Sequence, residues 1–209
     1  FSSHAHAFYN GGSYGIVGNW SEFDVLIIHY SLRVARDSIN ALLLKRIRNF
    51  EGLKVLFSQD EYEYTERTRT FIENYSIDTV FTCVPSKYRE AIYPSSRFPS
   101  VKFVETLTGY ASDLLVTSKI IPTIRERSIV IAYRGRALPY WYGDLGQEKK
   151  TIAVVVKNYC VKKDILCDIE WDDSHRIYGQ KWIDFLTNSK STLGTESGSN
   201  IFDDNGTIK

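Results

Sequence analysis

DVLIIHY, residues 24–30, decides the fold. It is an unbroken apolar run ending in polar residues, which is how a strand buried on both faces of a parallel sheet reads. Outward from it the chain alternates. Ile39, Leu43, Ile47 and Phe50 recur at helical spacing and stop at Gly52. LKVLFS (53–58) is a second strand, and a polar helix over residues 63–75 turns Phe71, Ile72 and Tyr75 inward. DTVFTCV (78–84) is a third strand, Pro85 and Ser86 open a short helix through Ile92, and SVKFVET (100–106) is a fourth strand. Strand–helix alternation with short links predicts a parallel, doubly wound sheet rather than a sandwich of many short strands.

The pattern breaks after residue 106 and restarts at SIVIAY (128–133). A helix over 145–161 carries Leu145, Ile152, Val155, Val156 and Tyr159 in register, and DILCDIEW (164–171) reads as a strand. Tyr178, Trp182, Phe185 and Leu186 make an amphipathic helix, and STLGT (191–195) reads as the next strand. The expected organisation is an irregular segment 1–23, a Rossmann-like domain 24–108, a linker 109–127, and the first half of a second Rossmann-like domain 128–209. The fold class is therefore α/β, with parallel sheets in two domains of which the second is incomplete.

Composition narrows the function. The net charge of +1 on 209 residues argues against nucleic acid as the main partner, since a basic footprint is expected there. No stretch approaches the roughly 20 apolar residues of a membrane span. The frequent Leu, Ile, Val, Phe and Tyr exclude disorder as the overall state. The chain has no Met and begins with Phe, and its first twenty residues lack the basic region and apolar core of a secretory signal, which predicts a piece of a longer protein. Cys83, Cys160 and Cys167 show no paired spacing, which points away from a disulfide framework and toward a reducing, cytoplasmic compartment.

In open parallel sheets, ligands bind beyond the carboxyl ends of the strands. That rule selects YRGRALPYWYGDLGQEKK (133–150), where Arg134 and Arg136 flank Gly135 directly after a strand. Arginine forks suit phosphate oxygens and glycine admits close backbone approach; the competing reading pairs the arginines with Asp144 and Glu148. The aromatic run Tyr140, Trp141 and Tyr142 suits stacking on a sugar or base, or packing. ESGSN (196–200) offers Glu196, Ser197 and Gly198 as an anion or sugar cradle, or a plain turn. Neither a Walker A loop nor G-x-G-x-x-G is present, so P-loop hydrolases and ordinary dinucleotide oxidoreductases lose support. His29, Asp60 and Glu61 follow the first two strands as base candidates, although acids at a helix start also favour the helix dipole. His4 with His6, and Asp172 and Asp173 with His175, are weaker metal candidates and read better as a tail and a solvated turn; no metal and no cofactor is expected.

HYSLRV, LFSQDEY, IAYRGRALPYWYGDLGQEK, RIYGQKWIDFL and LGTESGSNIFDDNG, taken together over residues 24–206, resemble bacterial glycosyltransferases of the group 1, GT-B type found in surface-polysaccharide clusters. The resemblance implies two facing Rossmann-like domains. A glycan or lipid-linked acceptor would belong to the first and a nucleotide-sugar donor to the second, without a metal. Arg134, Arg136 and Lys149 would then stabilise the leaving diphosphate, with Gln147 and Glu148 close by. Glu196 to Asn200 would lie near the donor, and Asp60 or His29 would serve the acceptor side. The acidic segment that holds the donor in this family would fall after residue 209. Lipid-linked acceptors leave peripheral membrane contact open. The alternatives are a non-enzymatic two-domain protein that binds a sugar or nucleotide, and a sugar-nucleotide epimerase of the same fold.

Overall fold

The computed structural model describes residues 19–36, 39–107, 121–196 and 198–209. Contacts divide the chain into two units: Phe1–Thr108 with Phe202–Thr207, and Gly109–Ile201 with Ile208–Lys209. Both are α/β with parallel sheets. The residues 202–207 that the sequence reading placed in the second domain group with the first unit.

In the first unit, β1 (Val25–Ile28), β2 (Leu53–Phe57), β3 (Thr79–Thr82) and β4 (Lys102–Glu105) form a parallel sheet in the order β1-β2-β3-β4. Helices α1 (Ala41–Arg48), α2 (Thr65–Asn74) and α3 (Ser86–Ile92) connect them. Every crossover steps in the same direction, and right-handed crossovers then place all helices on one face. The core agrees: Ile28, Leu56 and Val80 are in register across the sheet and pack with Ile47, Phe71, Ile72 and Ile92 from the three helices. Full burial of each such side chain contributes about 1.5–3 kcal/mol.

This corrects the expectation of a doubly wound sheet for this unit. The apolar runs are not buried on both faces either. Val25 and Leu53 are exposed and Ile27 is 62% exposed, on the face opposite the helices. Phe57 and Phe81 stack there, with centroids 4.5 Å apart. A continuous apolar run fixes a strand and not the number of layers that cover it.

Opposite the sheet, Arg97 forms a fork between two helical carboxylates. It reaches Glu66 at 2.6 Å and Glu73 at 2.7 Å, while Arg69 reaches Glu66 at 3.1 Å. The Arg97 hydrogen bonds, then those of Arg69, hold the Glu66 carboxyl at about 2, against the opposing effect of burial. A lowered carboxylate pKa contributes stability that is complete above its unfolded value and lost as pH falls through the folded value. First-unit stability is therefore expected to decline between pH about 4.5 and about 2, with a smaller decline in Glu66→Gln. Urea midpoints at stepped pH measure it. Since Glu66 is more than one-third exposed, the effect is also expected to shrink in high salt.

In the second unit, β5 (Ile129–Arg134), β6 (Cys167–Glu170) and β7 (Ser189–Thr192) run parallel in the order β6-β5-β7. Here consecutive crossovers reverse direction, so α4 (Asp144–Lys162) and α5 (Gln180–Thr187) take opposite faces. Ala153 and Cys160 of α4 pack with Ile131, Tyr133 and Ile169. Phe185 of α5 lies under Arg134, on the other side of β5. The buried stripe of α4 is Gly146, Ala153 and Cys160, flanked by Ile152 and Val156. Val155 and Tyr159, which the periodicity turned inward, are exposed. The last strand begins at Ser189, two residues earlier than its apolar letters suggest. Among the described residues no helix is long and apolar enough to cross a membrane.

Candidate functional site

The strand order reverses at β5, and in open parallel sheets ligands sit beyond the carboxyl ends of the strands at such a point. The segments 133–150 and 196–200, two of those the sequence selected, follow β5 and β7, which are adjacent there. Leu193 N donates to Ala132 O, which keeps the loop after β7 alongside β5. Burial raises the pKa of the Tyr133 hydroxyl, while a hydrogen bond with Thr195 opposes the shift.

The backbone at the head of α4 is fixed by Asn200. Its Oδ1 accepts from Leu145 N at 3.4 Å, and its own N donates to Tyr142 O at 3.3 Å. Ser199 Oγ donates to the same Tyr142 carbonyl at 2.9 Å. Gly143, the N-cap, sits at φ +76 and ψ −169, a region essentially reserved for glycine. A Cβ there would clash with Asn200 Oδ1. Gln147 donates to the carbonyls of Leu138 and Pro139 at 3.0 and 3.2 Å, so it braces the loop. Lys149 lies in the second turn of α4 and already has a partner. Tyr140 and Trp141 form part of a short 3-10 turn, with Tyr140 86% exposed.

Arg134 is placed differently from the expectation. Its Nη1 donates to the carbonyls of Tyr133 and Asp168, and its Nη2 reaches the Asp168 carboxylate at 2.8 Å. Its guanidinium lies 4.5 Å from the Phe185 ring centroid. The guanidinium is thus committed between β6 and α5. Neither Asp144 nor Glu148 is its partner. Arg136 is 54% exposed and 3.6 Å from Asp173, which also holds Arg176 at 2.9 Å. That loose pair leaves Arg136 available to an anion. A Cβ on Gly135 would meet the Tyr133 ring at 2.5 Å, so this glycine makes room for its own strand's tyrosine. Glu196 is exposed, Gly198 has open space around its α-carbon, and Ser197 lies outside the described residues.

The first unit has its own pocket at the carboxyl ends of β1 and β2, lined among others by Tyr30, Arg33, Arg36, Asp60, Glu63 and Tyr64. Arg33 pairs with Asp60 at 3.2 Å and Arg36 with Glu63 at 3.6 Å. Asp60 and Tyr64 both hold positive φ, at 58° and 53°. His29 stands beside this rim. Its Nδ1 accepts from Ser31 N at 3.2 Å and contacts Ser31 Oγ at 2.9 Å. With Nδ1 accepting, the neutral ring carries its proton on Nε2 and presents a donor outward.

Glu61 points inward and is 5% exposed. Its carboxylate accepts from Thr82 Oγ1 at 2.7 Å, from Cys83 N at 2.9 Å and from the Tyr93 hydroxyl. Burial, with Glu61 beside it, pushes the Tyr93 hydroxyl far above its ordinary value, so it remains a donor. Burial, then Glu61 and Asp60, raises the Cys83 thiol to about 11 and keeps it protonated at neutral pH.

The sequence reading did not single out Arg33, Glu63 or Tyr64 for the pocket, nor Asp168 for Arg134. Arg33 was visible only as a charge three residues past the run 24–30. The metal candidates gather no support: Asp172 Oδ1 accepts from Ser174 N at 3.0 Å and closes a turn. Among the described residues no group of three His, Cys, Asp or Glu is arranged to hold an ion, and His4 and His6 lie outside them. No protein-family model, no curated protein and no solved structure matches the chain. The chain is an α/β protein of two parallel-sheet units, each with polar side chains gathered at its strand ends.

Proposed function

We propose that the chain is part of a metal-independent glycosyltransferase of the GT-B type, which takes a nucleotide-sugar donor in the second unit and a glycan or lipid-linked acceptor in the first. One observation carries the reading. The segments 133–150 and 196–200, read from the sequence as donor-side, follow adjacent strands at the point where strand order reverses. The N-terminus of α4, where Asn200 holds Leu145 N, closes the loop that follows β5, and its dipole favours an anion nearby. In this reading Arg136, rather than Arg134, meets the diphosphate. On the same reading the acceptor hydroxyl belongs at the first-unit pocket, where Asp60, whose carboxylate Arg33 orients, is the candidate to take its proton.

Calorimetric titration of UDP, GDP and dTDP into the protein tests this. One nucleotide is expected to bind, and Arg136→Ala to weaken it about tenfold, the low end for a charge-assisted hydrogen bond. Unchanged affinity in Arg136→Ala removes the arginine from the donor site, and binding of none of the three overturns the reading. A second reading, ligand binding without turnover, is favoured by one observation. Of the three base candidates, Glu61 is buried, His29 presents a donor, and Asp60 is already paired. Release of nucleoside diphosphate from a nucleotide-sugar in the presence of acceptor separates the two.

A further inference from the structure

We infer that Cys160 and Cys167 form a redox-modification site, at which a peroxide converts the two thiols to a disulfide that staples α4 to β6. Both residues belong to the second unit, and the inference is independent of the function proposed above.

The fold brings together two thiols that the sequence left unpaired. Cys160 is the last member of the buried stripe of α4. Beyond the helix end the chain reverses through Asp164, which is left-handed at φ 52. Ile165 N donates back to Cys160 O at 2.9 Å and Asp164 N to Val161 O at 3.3 Å, the two bonds of a Schellman turn. β6 then starts at Cys167. Side chains alternate along a strand, so Cys167 shares a face with Ile169. Ile169 is buried in one cluster with Cys160, and Cys167 packs against that cluster. The turn sets the end of α4 beside the start of β6, and the two thiols meet there in a hydrogen bond.

Access separates their roles. Cys160 is fully buried and Cys167 half-buried, so Cys167 meets the oxidant and Cys160 resolves it. The Cys167 thiolate attacks one oxygen of hydrogen peroxide, and the O–O bond breaks. A sulfenic acid forms, and the departing hydroxide takes up the proton that the thiol released. The Cys160 sulfur then attacks the Cys167 sulfur. The S–S bond forms, the S–O bond breaks, and the second hydroxide leaves as water with the Cys160 proton. Two thiols give up two electrons and two protons, and one peroxide becomes two waters. Burial, then the Cys160 thiol beside it, raises the Cys167 thiol above its ordinary value, with Lys157 opposing, so the first step is slow and needs peroxide in excess. Cys83 lies in the other unit, where its Sγ donates to Ser58 O at 3.6 Å.

The test treats the whole folded chain with hydrogen peroxide, blocks the remaining thiols after denaturation, and maps the tryptic peptides by mass. Trypsin cleaves after Lys162 and Lys163, so the disulfide is read as peptide 158–162 joined to peptide 164–176. That joined pair is expected, with Cys83 still a free thiol. Exchange at the Ile165 amide is expected to slow about tenfold in the oxidised chain, as closure of a short loop implies, while Leu56 and Val80 in the first unit stay unchanged. Cys167→Ser is expected to abolish both the link and the slowing, and Cys83→Ala to keep both. The same treatment of the urea-unfolded chain is the positive control. Three free thiols in the folded chain, under conditions that oxidise the unfolded one, overturn the inference. So does a sulfinic acid at Cys167 in place of the link, or slowing at Ile165 that persists in Cys167→Ser.

Discussion

Glu61→Ala is expected to lower the opening free energy of the first unit by about 3 kcal/mol, which places it among the costly single substitutions. The carboxylate accepts from Thr82, from the Cys83 backbone and from Tyr93, which is 2% exposed. Truncation leaves these donors facing a void, and each buried donor without a partner costs about 1–3 kcal/mol. Relief from burying a charge offsets part of that sum. Tyr93→Phe removes a single donor and is expected to cost about 1 kcal/mol. Exchange at the Leu56 and Val80 amides reads the first unit separately from the second. A change below about 0.5 kcal/mol, the range of ordinary surface substitutions, would mean that the carboxylate is not pinned and is free for chemistry.

Glu61 also shows where the sequence stops being legible. An acid three residues past the run 53–58 reads equally well as a base or as a dipole partner. What decides is Tyr93, thirty-two residues away, and Thr82, twenty-one away. The strands themselves were legible because each is a short apolar run, and β1, β2 and β3 fall inside the runs 24–30, 53–58 and 78–84. Strand order was not legible. The first unit's apolar runs resemble the second's, yet one sheet steps in a single direction and the other reverses. Local pattern carries no information on which neighbour a strand takes. In the same way FDDNGT (202–207) reads as a turn, and nothing local shows that its carbonyls cap α2.

The YRGR segment was legible as a strand end followed by a loop, but its two arginines were not separable by spacing. Arg134 continues the strand alternation with Ala132 on the face that α5 covers, whereas Arg136 lies past the strand end. Arg134→Met is therefore expected to act on stability. It removes the fork on Asp168 and the contact with Phe185, and leaves a partly buried carboxylate without its cation, at an expected cost of about 2–4 kcal/mol to the second unit. Arg134→Lys is expected to recover little, because an ammonium reproduces neither the two-nitrogen reach to carbonyl and carboxylate nor the planar stack.

The decisive variant pairs Arg134→Met with Asp168→Leu. Removing one ionic partner is costly, while replacing both with apolar groups is often neutral. The double variant is expected to regain most of the lost stability, read as exchange at the Ala132 and Ile169 amides. It also separates the two roles in one molecule. If nucleotide affinity in the double variant equals that of the parent, Arg134 acts on the fold of the second unit and not on the nucleotide. If affinity stays lost while stability returns, the Arg134 guanidinium leaves Asp168 for the phosphate when ligand arrives, and the ion pair is its resting position.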